Sequence, residues 1–192
     1  MTGRLPIVPT AIVALAVATM VALGFWQLGR AEEKQALLAR YAEAQTMSSQ
    51  VPWPESEDQA ELMLYRRSHI DCKTVHGITV RAGRNAGNEP GQAHYADCET
   101  GDGNRVDVVL GWARDVPSSS FDPSALGRIE GIIAPGPRLV ADPPQLGLEA
   151  NAKPDPADIP DNHMSYAVQW FLFALTALAI YALALRKRLR GG

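Results

Sequence analysis

No aspartate or glutamate precedes Glu32 or follows Asp161 in this 192-residue chain. From Leu5 to Gly29, 25 residues carry no charge of either sign, and from Met164 to Leu185 another 22 carry none. Soluble surfaces intersperse both signs, so neither stretch belongs on one. Other shortages narrow the function. There is no G-x-S-x-G elbow, no glycine-rich phosphate loop and no H-E-x-x-H helix, which removes the commonest hydrolase, nucleotide-binding and zinc-peptidase readings. Cysteine is limited to Cys72 and Cys98, enough for one bridge and no disulfide framework. Residues 31–162 hold twelve Lys and Arg against all 21 Asp and Glu, a net −9. That charge repels phosphate, so nucleic acid is not an expected partner.

What is present follows from the same partition. A helix crosses a hydrocarbon core of roughly 30 Å with about 20 apolar residues, so both uncharged runs are long enough to span. Residues 30–163 make too small a domain to bury two helices that are apolar on every side. Ala16-Val17-Ala18 has the form of a signal-peptide cleavage site, but the apolar run continues to Leu28, beyond an h-region of about 7–15 residues. An uncleaved anchor is the expectation. Arg4, Arg30, Arg186, Lys187, Arg188 and Arg190 give the ends +6, and positive charge beside a span marks its cytoplasmic side. Both termini are then cytoplasmic and the acidic middle lies outside. No Arg-rich, acid-poor presequence leads into the first run, which favours a bacterial inner membrane and a periplasmic domain. Thr10, Ala14, Ala18 and Ala22, four apart, predict a small-residue ridge for packing against the second helix. Trp26 and Trp170 fit the membrane interface.

The expected organisation is a cytoplasmic N-terminus (1–4), transmembrane helix 1 (5–28), a periplasmic α+β domain (29–133), a proline-rich return linker (134–161), transmembrane helix 2 (162–185) and a basic cytoplasmic tail (186–192). The fold class is therefore an α+β membrane protein, two transmembrane helices flanking a small, mainly antiparallel β domain. Within that domain Glu32–Ala44 reads as a short separate helix. Strand signals follow at about 65–73, 78–82, 93–99, 105–112 and 128–133, with Gly101-Asp102-Gly103-Asn104 as a hairpin turn. Cys72 and Cys98 are candidates for a disulfide in an oxidising compartment. With His76 and His94 they also form a mirrored Cys-x3-His and His-x3-Cys pair, a weaker zinc or copper reading, because strand residues four apart sit about 13 Å apart. A thiol or copper-handling protein using the two cysteines is the corresponding functional alternative.

The two membrane junctions are the most distinctive features: Gly24-Phe25-Trp26-Gln27-Leu28-Gly29-Arg30 and Asp161-Asn162-His163-Met164-Ser165-Tyr166-Ala167-Val168-Gln169-Trp170-Phe171. At about 100° per residue, His163, Tyr166, Trp170, Ala174, Ala177 and Tyr181 fall on one helix face. A flat aromatic ligand suits that face, with His163 as axial donor to iron. Spacing alone favours a plainer reading, an interfacial histidine among belt aromatics with no ligand.

Together the junctions resemble the Surfeit locus protein 1 family. Its pattern G-x-W-Q-x-x-R-x-x-x-K is matched by Gly24, Trp26, Gln27, Arg30 and Lys34. Its pattern N-N-H-x-x-Y-A-x-Q-W-F is matched by Asn162, His163, Tyr166, Ala167, Gln169, Trp170 and Phe171, with Asp161 for the first Asn. Val108–Trp112 looks like the family's central strand, with Leu110 where Arg is usual. The resemblance implies a non-enzymatic assembly factor for cytochrome c oxidase that binds haem a through His163. Tyr166, Trp170, Trp26 and Gln27 would complete the pocket. The implied partners are haem a synthase and the oxidase catalytic subunit, met in the lipid bilayer. A cofactor-free scaffold for oxidase subunits is the other reading.

Overall fold

The computed structural model describes residues 6–190, so Arg4 and the N-terminal segment 1–4 lie outside the described residues. The chain divides into two compact units, one made of residues up to Leu37 with those from Pro160 onward, the other of Leu38–Ile159. The first unit holds most of helix α1 (Ile7–Thr46) and all of α3 (His163–Arg190). The second holds the end of α1, the short helix α2 (Glu57–Met63) and six strands: β1 (Arg67–Asp71), β2 (Thr74–Arg84), β3 (Pro90–Glu99), β4 (Arg105–Ala113), β5 (Arg128–Ala134) and β6 (Arg138–Ala141).

The expected span and short helix are one continuous helix. Polarity changes at Arg30, but the backbone meets no obstacle: Gly29 costs about 1 kcal/mol inside a helix, and no proline follows before Pro52. The end of α1 is held to the sheet unit by Tyr41, whose ring lies 5.0 Å from that of Tyr65. The Gln45 amide also donates to the Pro154 carbonyl at 2.8 Å. Burial pushes the Tyr65 phenol above its ordinary value, and the neighbouring Tyr41 adds to the shift.

The sheet order is β1-β5-β6-β4-β3-β2. All its pairs are antiparallel except β4 with β6. The two edge strands, β1 and β2, are separated in sequence only by Cys72 and Lys73. The sheet must therefore curl until its edges meet at that corner. The Cys72 N–H bonds the Gly127 carbonyl at 3.0 Å and the Lys73 N–H bonds the Glu99 carbonyl at 2.8 Å, which straps the corner to both flanking segments. The core fills the enclosed face: Ile70, Ala96, Cys98, Val106, Val108, Leu110, Ile129 and Leu139 are all buried in one cluster. Alternate residues Ala93, Val109, Ala134 and Val140 form a smaller cluster on the opposite face.

Two expectations change here. β2 extends from 74 to 84 with a bulge between Val75 and Ile78, longer than the 78–82 read from sequence. The return linker 134–161 contains a strand: β6 sits between β4 and β5, and Leu139 is fully buried. Beyond it the chain still tracks the sheet. The Gln145 N–H bonds the Leu110 carbonyl, Glu149 pairs with Trp112, and the Ala152 N–H bonds the Arg84 carbonyl at 2.8 Å. The prolines around β6 hid it, because Pro135, Pro137, Pro143 and Pro144 leave only four residues between them with the strand pattern. The 101–104 turn forms as expected. Thr100 and Asn104 close it, and Gly103 takes φ +83°, a left-handed conformation that glycine adopts without strain.

Candidate functional site

In the helix unit, three contacts set the register. Thr10 hydrogen-bonds Tyr181 through their hydroxyls, Phe25 meets Phe171 edge to face at 5.4 Å, and Gln27 bonds His163. Residue numbers rise on α1 as they fall on α3, so the helices run antiparallel. The less exposed positions of α3 include His163, Ala167, Trp170, Ala174, Ala177 and Tyr181; those of α1 include Thr10, Val13, Val17, Met20, Gly24 and Gln27. Spacings of three and four alternate along both rows, the 3.5-residue period of a left-handed helix pair. A close approach is made at Gly24, where a Cβ would lie 2.6 Å from the Phe171 ring. The other faces carry exposed Ile12, Leu15, Leu175, Ile180 and Leu183. Apolar side chains on that scale, on helices of 40 and 28 residues, are at home in lipid.

Two sequence expectations change. The predicted ridge is not the seam: Ala14, Ala18 and Ala22 are exposed, and only Thr10 faces α3. A row of every fourth residue rotates about 40° per step away from a partner. Tyr166 likewise leaves the facing row, at 49% exposure, and Ala167 takes its place.

The centre of the site is the contact between His163 and Gln27, Nδ1 to Oε1 at 2.8 Å. An amide oxygen only accepts, so Nδ1 is the donor in this bond, and in the neutral ring Nε2 is then the nitrogen with the lone pair. The helix starts at this histidine because the Asp161 carboxylate accepts from the His163 backbone N–H at 3.4 Å. The placement of Trp26 and Tyr166 follows from helix geometry. At about 100° per residue, Phe25 and Trp26 leave α1 on opposite flanks of the row through Gly24 and Gln27. Phe171 and Tyr166 leave α3 on opposite flanks in the same way. Phe25 and Phe171 meet on one flank, so Trp26 and Tyr166 share the other. Trp26 is 57% exposed there, while Trp170 is half-buried within the facing row. Of the five sequence-derived residues, Gln27 and His163 are joined by a hydrogen bond, Trp170 lies in the facing row two turns on, and Trp26 and Tyr166 lie on the exposed flank.

The SURF1 family model matches residues 14–175, most of the chain and both junctions. The chain belongs to the SURF1 family. That bears out the resemblance read from the two motifs, and the family is associated with cytochrome c oxidase assembly. Searches of curated proteins and of solved structures returned no match. SURF1-family members are assembly factors and not catalytic enzymes.

The fold also settles where the other candidate residues of this SURF1-family chain lie. Cys72 and Cys98 are joined by a disulfide with Cα atoms 5.3 Å apart, and Cys98 is fully buried. Neither sulfur is a free thiolate, so the thiol and copper-handling reading loses its ligands. The mirrored histidines do not join them. His76 Nε2 contacts the Glu99 carboxylate at 2.6 Å, and His94 is buried with Nε2 2.8 Å from the Val116 carbonyl. Among the described residues no three His, Cys, Asp or Glu gather as they would around a metal ion.

One feature of the sheet unit was not foreseen. A cleft of about 490 Å³ opens beside Pro52-Trp53-Pro54, lined also by His69, Asp71, Asp102 and Pro137. The Thr100 hydroxyl, hydrogen-bonding Asp102, holds that carboxylate below its ordinary range. The Pro-Trp-Pro run was the available signal, but it reads first as a helix terminator.

Proposed function

We propose that this chain is an inner-membrane assembly factor that binds haem a through Nε2 of His163 and supports its insertion into the oxidase catalytic subunit. The supporting observation is the Gln27–His163 hydrogen bond, which leaves Nε2 as the one ring nitrogen able to donate a lone pair to iron. The donor fits the group chemically. Neutral imidazole is a common axial ligand, and the Trp26–Tyr166 flank offers aromatic surface in an apolar setting. When bound, the haem would supply an iron centre able to accept the nitrogen lone pair of His163.

The residues do the rest: α1 and α3 hold the histidine at one level, and the open flank lets a macrocycle enter and leave sideways. Openness suits a carrier between a haem a synthase and the oxidase, which must release what it binds. The proposed topology has both helix ends bearing Thr10 and Tyr181 towards the cytoplasm, next to Arg186, Lys187, Arg188 and Arg190, with the sheet domain in the periplasm. A disulfide in that domain agrees with an oxidising compartment.

The test is the absorbance of detergent-purified full-length protein from cells that make haem a. The wild type is expected to carry haem, and His163→Ala to retain about tenfold less, in line with loss of an axial ligand that holds the iron. Equal haem in both proteins would remove the ligand assignment. Undiminished co-purification of oxidase subunits by a wild type without haem would instead establish the cofactor-free scaffold.

A further inference from the structure

We infer that Gln27 is a positioning residue that selects the tautomer of His163 and so determines which ring nitrogen faces a ligand. An unattached neutral histidine favours the Nε2–H form, with its lone pair on Nδ1. In this site Nδ1 lies 2.8 Å from the Gln27 side-chain oxygen, and the bond is made only if Nδ1 carries the hydrogen. The minor tautomer of the free side chain thereby becomes the resident one. Gln27 owes its aim to the seam. It follows Gly24 by three residues in the facing row of α1, and the close approach at Gly24 and Phe171 fixes the separation of the helices one turn away. Both partners are half-buried, which limits the water that competes for the bond.

The amide matters as well as its position. A neutral acceptor orients the ring without placing a negative charge beside an apolar span. A carboxylate in its place would hold the same tautomer and make the ring a stronger donor. A leucine would fill similar volume and leave the ring to its own preference. The consequence for haem rests on the reading given above, but the tautomer itself does not.

The two are separated by one set of proteins. Full-length protein with 15N-labelled histidine is placed in lipid nanodiscs, and long-range 15N–1H correlations identify which nitrogen of His163 is protonated. His69, His76 and His94, all in the sheet unit, serve as internal controls for folding. The wild type is expected to show Nδ1 protonated and Nε2 bare. Gln27→Leu is expected to revert to a form with Nε2 mainly protonated, and Gln27→Glu to keep the wild-type pattern. Gln27→Asn, one methylene too short to reach the ring, is expected to follow Gln27→Leu and replaces it if the leucine variant fails to fold. Haemin titration of the same samples is expected to show binding weakened about 10–100-fold in Gln27→Leu and retained in Gln27→Glu, the usual size of an outer-shell effect. An Nδ1–H pattern in every variant overturns the inference and leaves the haem reading standing, whereas Nε2–H in the wild type overturns both the inference and haem ligation through Nε2. The expected tautomers with no haemin binding in any protein overturn the haem reading and leave the role of Gln27 intact.

Discussion

Replacing both Cys72 and Cys98 by alanine is expected to lower the unfolding free energy of the sheet domain by about 3–4 kcal/mol. The bridge closes a loop of sequence separation 26, and the entropy released to the unfolded chain accounts for that magnitude. Its position adds to the consequence. Cys72 forms the corner where the edge strands β1 and β2 meet, and Cys98 lies on β3, the neighbour of β2. The bridge therefore ties shut the one place where the curled sheet is joined by a two-residue link and not by a strand ladder. Alanine is preferred to serine because position 98 is fully buried and a hydroxyl there would add its own desolvation cost of about 1–3 kcal/mol. For a domain of this size the expected fall in Tm is about 10–15 °C. Thermal unfolding of the full chain in detergent, followed by near-ultraviolet circular dichroism, measures it. Reductant should lower the Tm of the wild type towards that of the variant and leave the variant unchanged. A loss below about 1 kcal/mol would mean that strand pairing alone holds the corner.

The features legible in the sequence were those with a length scale or a charge sign. Two runs without charge and the bias of Arg and Lys to their ends defined the helices and the acidic domain between them. Five of six strands were marked by apolar and β-branched residues between turn signals. The failures share a cause, the reading of composition as backbone geometry. At Arg30 the side chains turn polar while the helix continues, so a change of solvent passed for a break. Around Arg138–Ala141 prolines passed for a linker, though a proline on each side of a short strand takes no hydrogen bond from its ladder. The row Thr10, Ala14, Ala18, Ala22 was chosen for small size, but a helix pair selects the 3.5-residue period, which runs instead through Val13, Val17, Met20 and Gly24.

The site was legible to the level of the membrane and not to the contact. Gln27 and His163 were recognised as level with each other from their motifs. That they touch depends on the antiparallel register, set by Gly24 under Phe171 within the motifs and by Thr10 with Tyr181 far from either. In lipid there is no hydrophobic gain from pairing two apolar helices, so such close approaches and polar contacts decide the register. His163 is consequently positioned by seam contacts one or more turns away from it.

Gly131→Ala is expected to destabilise the sheet domain by about 3–5 kcal/mol, and it tests the reassignment of the segment after residue 134. Gly131 is in β5, between Ser68 of β1 and Ala141 of β6. A Cβ there would collide with the Val140 carbonyl, with its oxygen nearest, its carbon at 2.8 Å and the Ala141 Cα at 3.1 Å. These are backbone atoms and cannot rotate aside. β6 cannot retreat either, because Asp107, Val108 and Val109 of β4 pair with its other edge. Relief requires breaking β5–β6 or β6–β4 hydrogen bonds, each worth about 0.5–1.5 kcal/mol, on top of an overpacking cost of about 1–3 kcal/mol. If residues 134–161 were a loose linker, the chain would simply step away and the substitution would cost almost nothing. Gly77→Ala supplies the comparison: no atom lies within 4 Å of its Cβ position, and its effect should stay within about 0.5 kcal/mol. Urea unfolding of the two full-length variants beside the wild type distinguishes the cases. Equal stability of Gly131→Ala and Gly77→Ala would return β6 to the linker, whereas a large gap between them makes residues 138–141 a central strand on which the closure of the sheet depends.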